Sequence, residues 1–169
     1  MTSIAPPNHT RRENSTDDWI TPQWLIQRIG PFDLDPCACI PQPWPCATNQ
    51  FTIEDHGLLQ KWEGFVWMNP PYGKSLGRWL ERLAAHGNGV AFVFARTDTR
   101  AFFRHVWPRA DALLFLRGRI TFNRPDGSAP KTGHNSGGPS VLIAYGSLAV
   151  ERLFSNRDLG AFLPIHHQD

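Results

Sequence analysis

Long apolar runs are missing from this chain. No stretch reaches the ~18–20 consecutive apolar residues that a helical membrane span requires. Residues 1–18 lack the apolar core of a secretory signal. Together these absences predict a protein that stays in the cytoplasm where it is made, with no membrane partner. Cysteine is scarce as well. Cys37, Cys39 and Cys46 are the only three, so they cannot all pair, and a reducing compartment suits them. Their C-x-C-x6-C spacing is not a zinc pattern. A metal site would need a fourth ligand, and His56, ten residues beyond the last thiol, is a poor candidate. The expectation is structural or unpaired thiols and no metal site. A strong net charge is also lacking, the formal value being +2.

What is present begins with size. A chain of 169 residues fits one domain and one hydrophobic core, and leaves little room for a separate recognition domain. With 14 Gly and 15 Pro the chain is loop-rich, yet below the ~25–30% at which composition signals disorder. There is no internal repeat. Charge is unevenly spread. Residues 96–131 hold eight basic side chains (Arg96, Arg100, Arg104, Arg109, Arg117, Arg119, Arg124, Lys131) against three acidic ones, net +5, whereas residues 1–95 are net −2. Seven of those eight are Arg, whose planar fork suits phosphates and base edges. The bland alternative is a solvated basic face.

Local patterns suggest strands alternating with helices. Residues 1–18 form an arm, and order begins at Trp19. A short helix over residues 23–29 follows Thr21-Pro22, with Thr21 as cap, Pro22 at the first helical position and Gly30 as stop. Residues 32–35 read as a short strand ending at Pro36. Four prolines make residues 36–50 an irregular loop. Residues 58–62 read as one helical turn, and residues 65–68 as a buried strand. A helix from a Ser75 cap to about Ala85 places Leu76, Trp79, Leu80 and Leu83 on one face. Residues 90–94 are the clearest buried strand. A helix capped by Asp98 or Thr99 runs to about Trp107, and strands follow at 112–116, 119–122 and 141–145. Such alternation predicts a minimal, single-domain three-layer α/β fold. Ligands in such sheets sit at the carboxyl ends of the strands.

Two predicted strand ends carry unusual tetrads, Asp35-Pro36-Cys37-Ala38 and Asn69-Pro70-Pro71-Tyr72. The second has a specific chemical capacity. Asn69 offers a side-chain carbonyl acceptor. Two consecutive prolines fix φ and hold the Pro70 carbonyl stiffly beside it. Two neutral acceptors side by side match the two hydrogens of an amino group, and Tyr72 offers a flat face for a ring. An amine on a heteroaromatic ring is a poor nucleophile, because its lone pair is delocalised. Gripping both hydrogens favours a pyramidal nitrogen, which stabilises the transition state selectively. A strong electrophile such as S-adenosylmethionine would complete the chemistry, and a base in a duplex would have to leave the stack. The alternative for the tetrad is a proline-rich strand-to-helix turn with a packing Tyr.

The ordered set Asp18-Trp19-x-Thr21-Pro22, Phe32-Asp33-Leu34-Asp35-Pro36-Cys37-Ala38, Glu54-Asp55-x-Gly57-Leu58, Trp62-x-Gly64-x-Val66-Trp67-x-Asn69-Pro70-Pro71-Tyr72-Gly73 and Gly118-Arg119-Ile120-x-Phe122 resembles the phage-encoded Dam-type DNA N-6-adenine methyltransferases over about residues 17–146. The resemblance implies a Rossmann-like methyltransferase fold, S-adenosylmethionine as cofactor, DNA as partner and, for a phage protein, the host cytoplasm. It implies catalysis by Asn69, Pro70, Pro71 and Tyr72. Thr21 and Pro22 would contact the amino-acid end of the cofactor, and Asp35, Pro36, Cys37 and Ala38 would line its loop. A ribose carboxylate is also needed, for which Asp55 is the candidate and Glu54 the runner-up. The glycine-rich pattern usual in the wider methyltransferases is absent, since no glycine follows the first strand until Gly57. DNA contacts are expected from Arg117, Arg119, Arg124 and Lys131 and a DNA-facing loop at about 117–139, including His134-Asn135-Ser136. Residues 19–150 would form the methyltransferase domain and 151–169 a C-terminal extension, with His166 and His167 in its tail. Cytosine-N4 methylation of DNA, glutamine methylation of a protein, and an inactive nucleic-acid-binding module remain alternatives. The oligomeric state is left open.

Overall fold

The structure is a computed structural model that describes residues 20–129 and 137–166. The arm over 1–18, Lys131, His134-Asn135-Ser136 and His167 lie outside the described residues. The elements run α1 (Gln23–Ile29), β1 (Leu34–Asp35), β2 (Asn49–Gln50), β3 (Val66–Met68), α2 (Leu76–His86), β4 (Gly89–Phe94), α3 (Arg100–His105), β5 (Ala112–Leu116), β6 (Ser140–Tyr145), α4 (Ser147–Ser155) and β7 (Gly160–Pro164). Single 3-10 turns lie at Ile53–Asp55, Gly57–Leu59 and Arg157–Leu159.

Seven strands form one mixed sheet in the order β2-β1-β3-β4-β6-β5-β7. Strands β2, β1, β3 and β4 are mutually parallel. Strand β6 is antiparallel to both β4 and β5, so β5 runs the same way as β4. Strand β7 pairs antiparallel with β5 and forms the far edge. The carboxyl ends of β1, β3, β4 and β5 therefore share one edge of the sheet.

The central strands are buried on both faces, and their alternating side chains divide the core in two. Val90, Phe92, Leu114 and Leu142 face Leu25, Ile26 and Ile29 of α1 and Ala149 and Leu153 of α4. Their neighbours Ala91, Val93, Leu113 and Ile143 face Leu80 and Leu83 of α2 and Phe102 of α3. Helices thus cover both faces. Completely buried side chains such as Trp67, Phe92 and Leu113 each contribute about 1.5–3 kcal/mol of hydrophobic stabilisation.

Several local expectations change in detail. Pro22, not Thr21, occupies the cap position of α1, with extended ψ 137 and no side-chain cap bond. Ser75 sits at the start of α2 in helical conformation and makes no cap bond. Thr99 does cap α3, accepting from Phe102 N–H, and α3 ends at His105 rather than Trp107. The helical turn expected at 58–62 forms earlier, at Gly57–Leu59. Residues 119–122 alternate exposed and buried, as a strand would, but only Asn123 pairs, through a single bridge to Ile20. Beyond residue 150, α4 continues and β7 joins the sheet, an element that the sequence patterns do not suggest.

Candidate active site

Strand β1 connects to β2 on one side, while β3 connects to β4 on the other. The chain thus reverses its winding between β1 and β3. In open α/β sheets a ligand crevice forms beyond the strand ends at such a point. Both unusual tetrads emerge there, Asp35-Pro36 from β1 and Asn69-Pro70 from β3. A cavity of about 470 Å³ opens between them. Its walls include Pro36, Cys37, Ala38, Cys39 and Ile40 from the first loop and Asn69, Pro70, Pro71 and Tyr72 from the second. The volume lies within the ~300–1,000 Å³ typical of small-molecule and cofactor sites.

Asn69 is held from two sides. Its Nδ2 donates to Thr21 Oγ1 at 3.2 Å. Its backbone N–H donates to the thiol of Cys37. Thr21 is 2% exposed, so its hydroxyl meets Asn69 inside the protein rather than in solvent. The bond orients the amide, turning the NH2 end toward Thr21. Trp44 in turn donates its indole N–H to the Thr21 carbonyl at 3.0 Å. Thr21 and Pro22 do not line the cavity.

Tyr72 lines the cavity and stacks on Phe94 at the end of β4, with ring centroids 4.5 Å apart and planes 19° apart. The Arg96 guanidinium lies over the other aromatic partner, 5.9 Å from the Phe94 centroid. Burial pushes the Tyr72 phenol well above its ordinary value, so it remains a neutral ring.

Asp35 has a structural setting. It is 4% exposed and lies outside the cavity lining, and its Oδ1 accepts from Cys37 N–H at 3.1 Å. This is an Asx turn, which fixes the Asp-Pro-Cys corner. Burial pushes its carboxyl up from 3.8 to about 7, against the opposing effect of hydrogen bonds from Cys37 and Cys46. Burial first, and the nearby Asp35 second, push the Cys37 and Cys46 thiols well up. They are protonated at neutral pH, and a thiolate nucleophile is not the chemistry of this site.

Asp55 is exposed and also outside the lining. Its Oδ2 accepts from Thr52 N–H at 2.7 Å and Thr52 Oγ1 at 2.8 Å, which closes a capping box around the 3-10 turn. Those bonds hold its carboxyl below the usual range. Neighbours of Asp55 form the wall instead: Thr52, Ile53, His56, Gly57, Leu58 and Leu59. His56 adopts left-handed backbone geometry, φ 53, which is unusual for a residue other than Gly. At Gly57 a Cβ would collide with the Pro36 carbonyl, so the wall closes only around glycine. Arg78 and Trp79, in the first turn of α2, complete the lining. Sequence patterns mark Trp79 only as part of an apolar helix face and Phe94 only as a strand residue, and give no reason to select Arg78.

Arg117, Arg119 and Arg124 are exposed. Arg117 directly follows β5 and thus lies at the same sheet edge as the tetrads. Among the described residues the ion pairs are Arg28–Asp158 and Lys61–Glu63, so none of these three arginines is paired with a carboxylate there. No group of three or more His, Cys, Asp or Glu suited to a metal ion occurs among the described residues, and no helix is long and apolar enough to cross a membrane.

A seven-strand mixed α/β sheet with Asn69-Pro70-Pro71-Tyr72 at a strand end and a cavity of cofactor size beside it is compatible with a methyltransferase. The family model described as DNA N-6-adenine-methyltransferase (Dam) matches residues 8–158, most of the chain, and the protein belongs to that family. No curated protein and no solved structure matches the chain.

Proposed function

We propose that this protein transfers a methyl group from S-adenosylmethionine to the exocyclic N6 amine of adenine in DNA. One observation carries the reading: a single cavity is walled by both strand-end tetrads at the reversal between β1 and β3. Family membership implies a DNA adenine methyltransferase. On this reading the fold is the Rossmann-like three-layer methyltransferase architecture in minimal form, supported by helices on both faces of the sheet.

The cavity suits the cofactor chemically. Its first wall, Pro36 to Ile40, is mostly apolar, and Ile53, Leu58 and Leu59 extend that surface toward the rim, as an adenosyl group requires. S-adenosylmethionine supplies an electrophilic methyl group when bound. The residues of this chain do the rest. Asn69 Oδ1 and the Pro70 carbonyl accept the two amine hydrogens. Thr21 keeps the Asn69 amide from rotating its NH2 toward the substrate. Pro71 stiffens the corner, and Tyr72, backed by Phe94, presents a ring for the flipped base. Asp35 shapes the floor through Cys37, and Arg117, Arg119 and Arg124 supply positive charge for the DNA backbone.

The test is the product. Methylated DNA is digested to nucleosides and analysed by mass spectrometry, with cofactor binding followed by calorimetry. The expected result is N6-methyladenine that falls by about 10²–10³ in rate in Asn69→Ala, the scale of one preorganised polar group, with cofactor binding intact. N4-methylcytosine would move the assignment to the cytosine alternative. Methylation of a protein glutamine, or cofactor binding without any product, would replace it. Full activity in Asn69→Ala would remove the tetrad from the mechanism.

A further inference from the structure

A second cavity, of about 320 Å³, shares no lining residue with the first and is bounded by Trp24, Leu116, Arg117, Arg119, Ile120, Thr121 and Leu159. Trp24 is an unusual surface residue. It sits on α1, whose buried face is Leu25, Ile26 and Ile29, and its indole is 44% exposed. A large aromatic ring beside two exposed guanidinium groups is poorly explained by packing, since burial of Trp24 would have been more stabilising. Among the described residues no carboxylate pairs with Arg117 or Arg119, and Asp158 beside Leu159 is engaged by Arg28 in a bidentate contact of 2.8 and 2.9 Å. Within the described residues Arg117 and Arg119 thus present their charge to an anion.

Backbone and side-chain hydrogen bonds connect the cavity to the catalytic tetrad. Arg119 is four residues from Asn123, whose N–H donates to the Ile20 carbonyl at 3.0 Å and whose carbonyl accepts from Ile20 N–H at 3.3 Å. Ile20 precedes Thr21, which holds Asn69. Arg119 and Asn123 are therefore at most about 14 Å apart. The cavity also shares the sheet edge at which β1, β3 and β4 end.

We propose that this second cavity is a nucleotide subsite for the DNA strand flanking the methylated base. The Trp24 indole stacks on the base of one nucleotide, and Arg117 and Arg119 take its phosphates. The assignment rests on the reading of DNA as substrate. Every base has a flat face, so the subsite holds DNA without reading sequence. It would also keep the strand open next to the flipped adenine.

Fluorescence anisotropy with a labelled duplex of about 20 base pairs, and with one of its separated strands, tests this. Trp24→Ala should weaken binding about 5- to 150-fold, more for the single strand, whose bases are already unstacked. Trp24→Phe should recover most of the loss. Arg117→Ala and Arg119→Ala should each flatten the slope of log K against log salt by about one unit. The cofactor-induced thermal shift should be unchanged in all of them, which also reports that they are folded. If wild-type protein binds and methylates DNA while Trp24→Ala binds both probes as tightly, the subsite is refuted and the methyltransferase reading stands. Failure of wild-type protein to bind either probe overturns both.

Discussion

Thr21→Val tests the tie between Thr21 and the tetrad. The substitution keeps the shape of the side chain and removes the oxygen that accepts from Asn69 Nδ2 at 3.2 Å. Thr21 is withdrawn from bulk water at 2% exposure, and Asn69 is partly buried on the cavity wall. A hydrogen bond of this kind contributes about 0.5–1.5 kcal/mol net, and an orphaned buried amide costs about 1–3 kcal/mol. The kinetic effect has two bounds. If the Asn69 amide merely samples both orientations without its tie, half the molecules present NH2 instead of oxygen to the substrate and kcat falls about twofold. If about 1.4 kcal/mol of the bond is expressed only in the transition state, kcat falls about tenfold. Both lie well short of the ~10²–10³ expected for Asn69→Ala. Thr21→Ser, which keeps an acceptor, should recover most of the rate. In the Asn69→Ala background, Thr21→Val should change kcat no further, because its partner is gone. Steady-state kinetics at saturating DNA and saturating cofactor, with cofactor affinity measured separately by calorimetry, give the answer. A Thr21→Val enzyme with unchanged kcat and a raised cofactor dissociation constant would refute the positioning role and favour direct contact with the cofactor.

Tyr72→Phe should keep most activity, since the phenol is neutral and the stack on Phe94 needs only a ring, whereas Tyr72→Ala should weaken the hold on the flipped base by roughly 1–3 kcal/mol in a single-turnover assay. Asp35 makes stability depend on pH. Its folded pKa of about 7 lies above the 3.8 of an ordinary Asp, so the folded state binds the proton more tightly, and stability should fall as pH rises from about 4 to about 7. The full span is on the order of 4 kcal/mol, and urea titrations of Asp35→Asn should lack most of that dependence.

The parts of this fold legible in the sequence are those where one signal dominates. The apolar run in β4 and the helical stripe of Trp79, Leu80 and Leu83 in α2 state their burial directly. The two-residue strand Asn49–Gln50 carries no such signal; it is polar and exists because β1 supplies a parallel neighbour. Strand β7 is opened by Gly160 and closed by Pro164, and only pairing with β5 identifies it. Residues 119–122 illustrate the opposite failure. Alternating burial of Ile120 and Phe122 satisfies the period of a strand, but alternation reports only which side faces the core and says nothing of a neighbour to bond with. At the site, the tetrads were visible because Pro and Asn dictate local geometry. The partners of their side chains were not. Thr21 and Asn69 are 48 residues apart, and the sequence offers a helix cap as an equally good use for a Thr before Pro.

Rigidity is the physical requirement that links these loops to catalysis. Gripping an amine in its transition state demands acceptors that do not relax away from it, yet residues 36–50 form no helix and contribute to the sheet only at their last two positions. Their order comes from side chains and a few backbone bonds. Asp35 accepts from Cys37, Gln42 links the Cys39 N–H to the Cys46 thiol, and Ala38 N–H donates to the Phe51 carbonyl. The prolines reduce the conformational freedom that folding must remove. That ordered loop then fixes Thr21 through Trp44, and Thr21 fixes Asn69. On the proposed mechanism the proline-rich segment thus positions the Asn69 acceptor through Trp44 and Thr21. Its four prolines and its lack of glycine suit a site whose precision is set by two successive contacts, Trp44 to Thr21 and Thr21 to Asn69, rather than by a rigid strand alone.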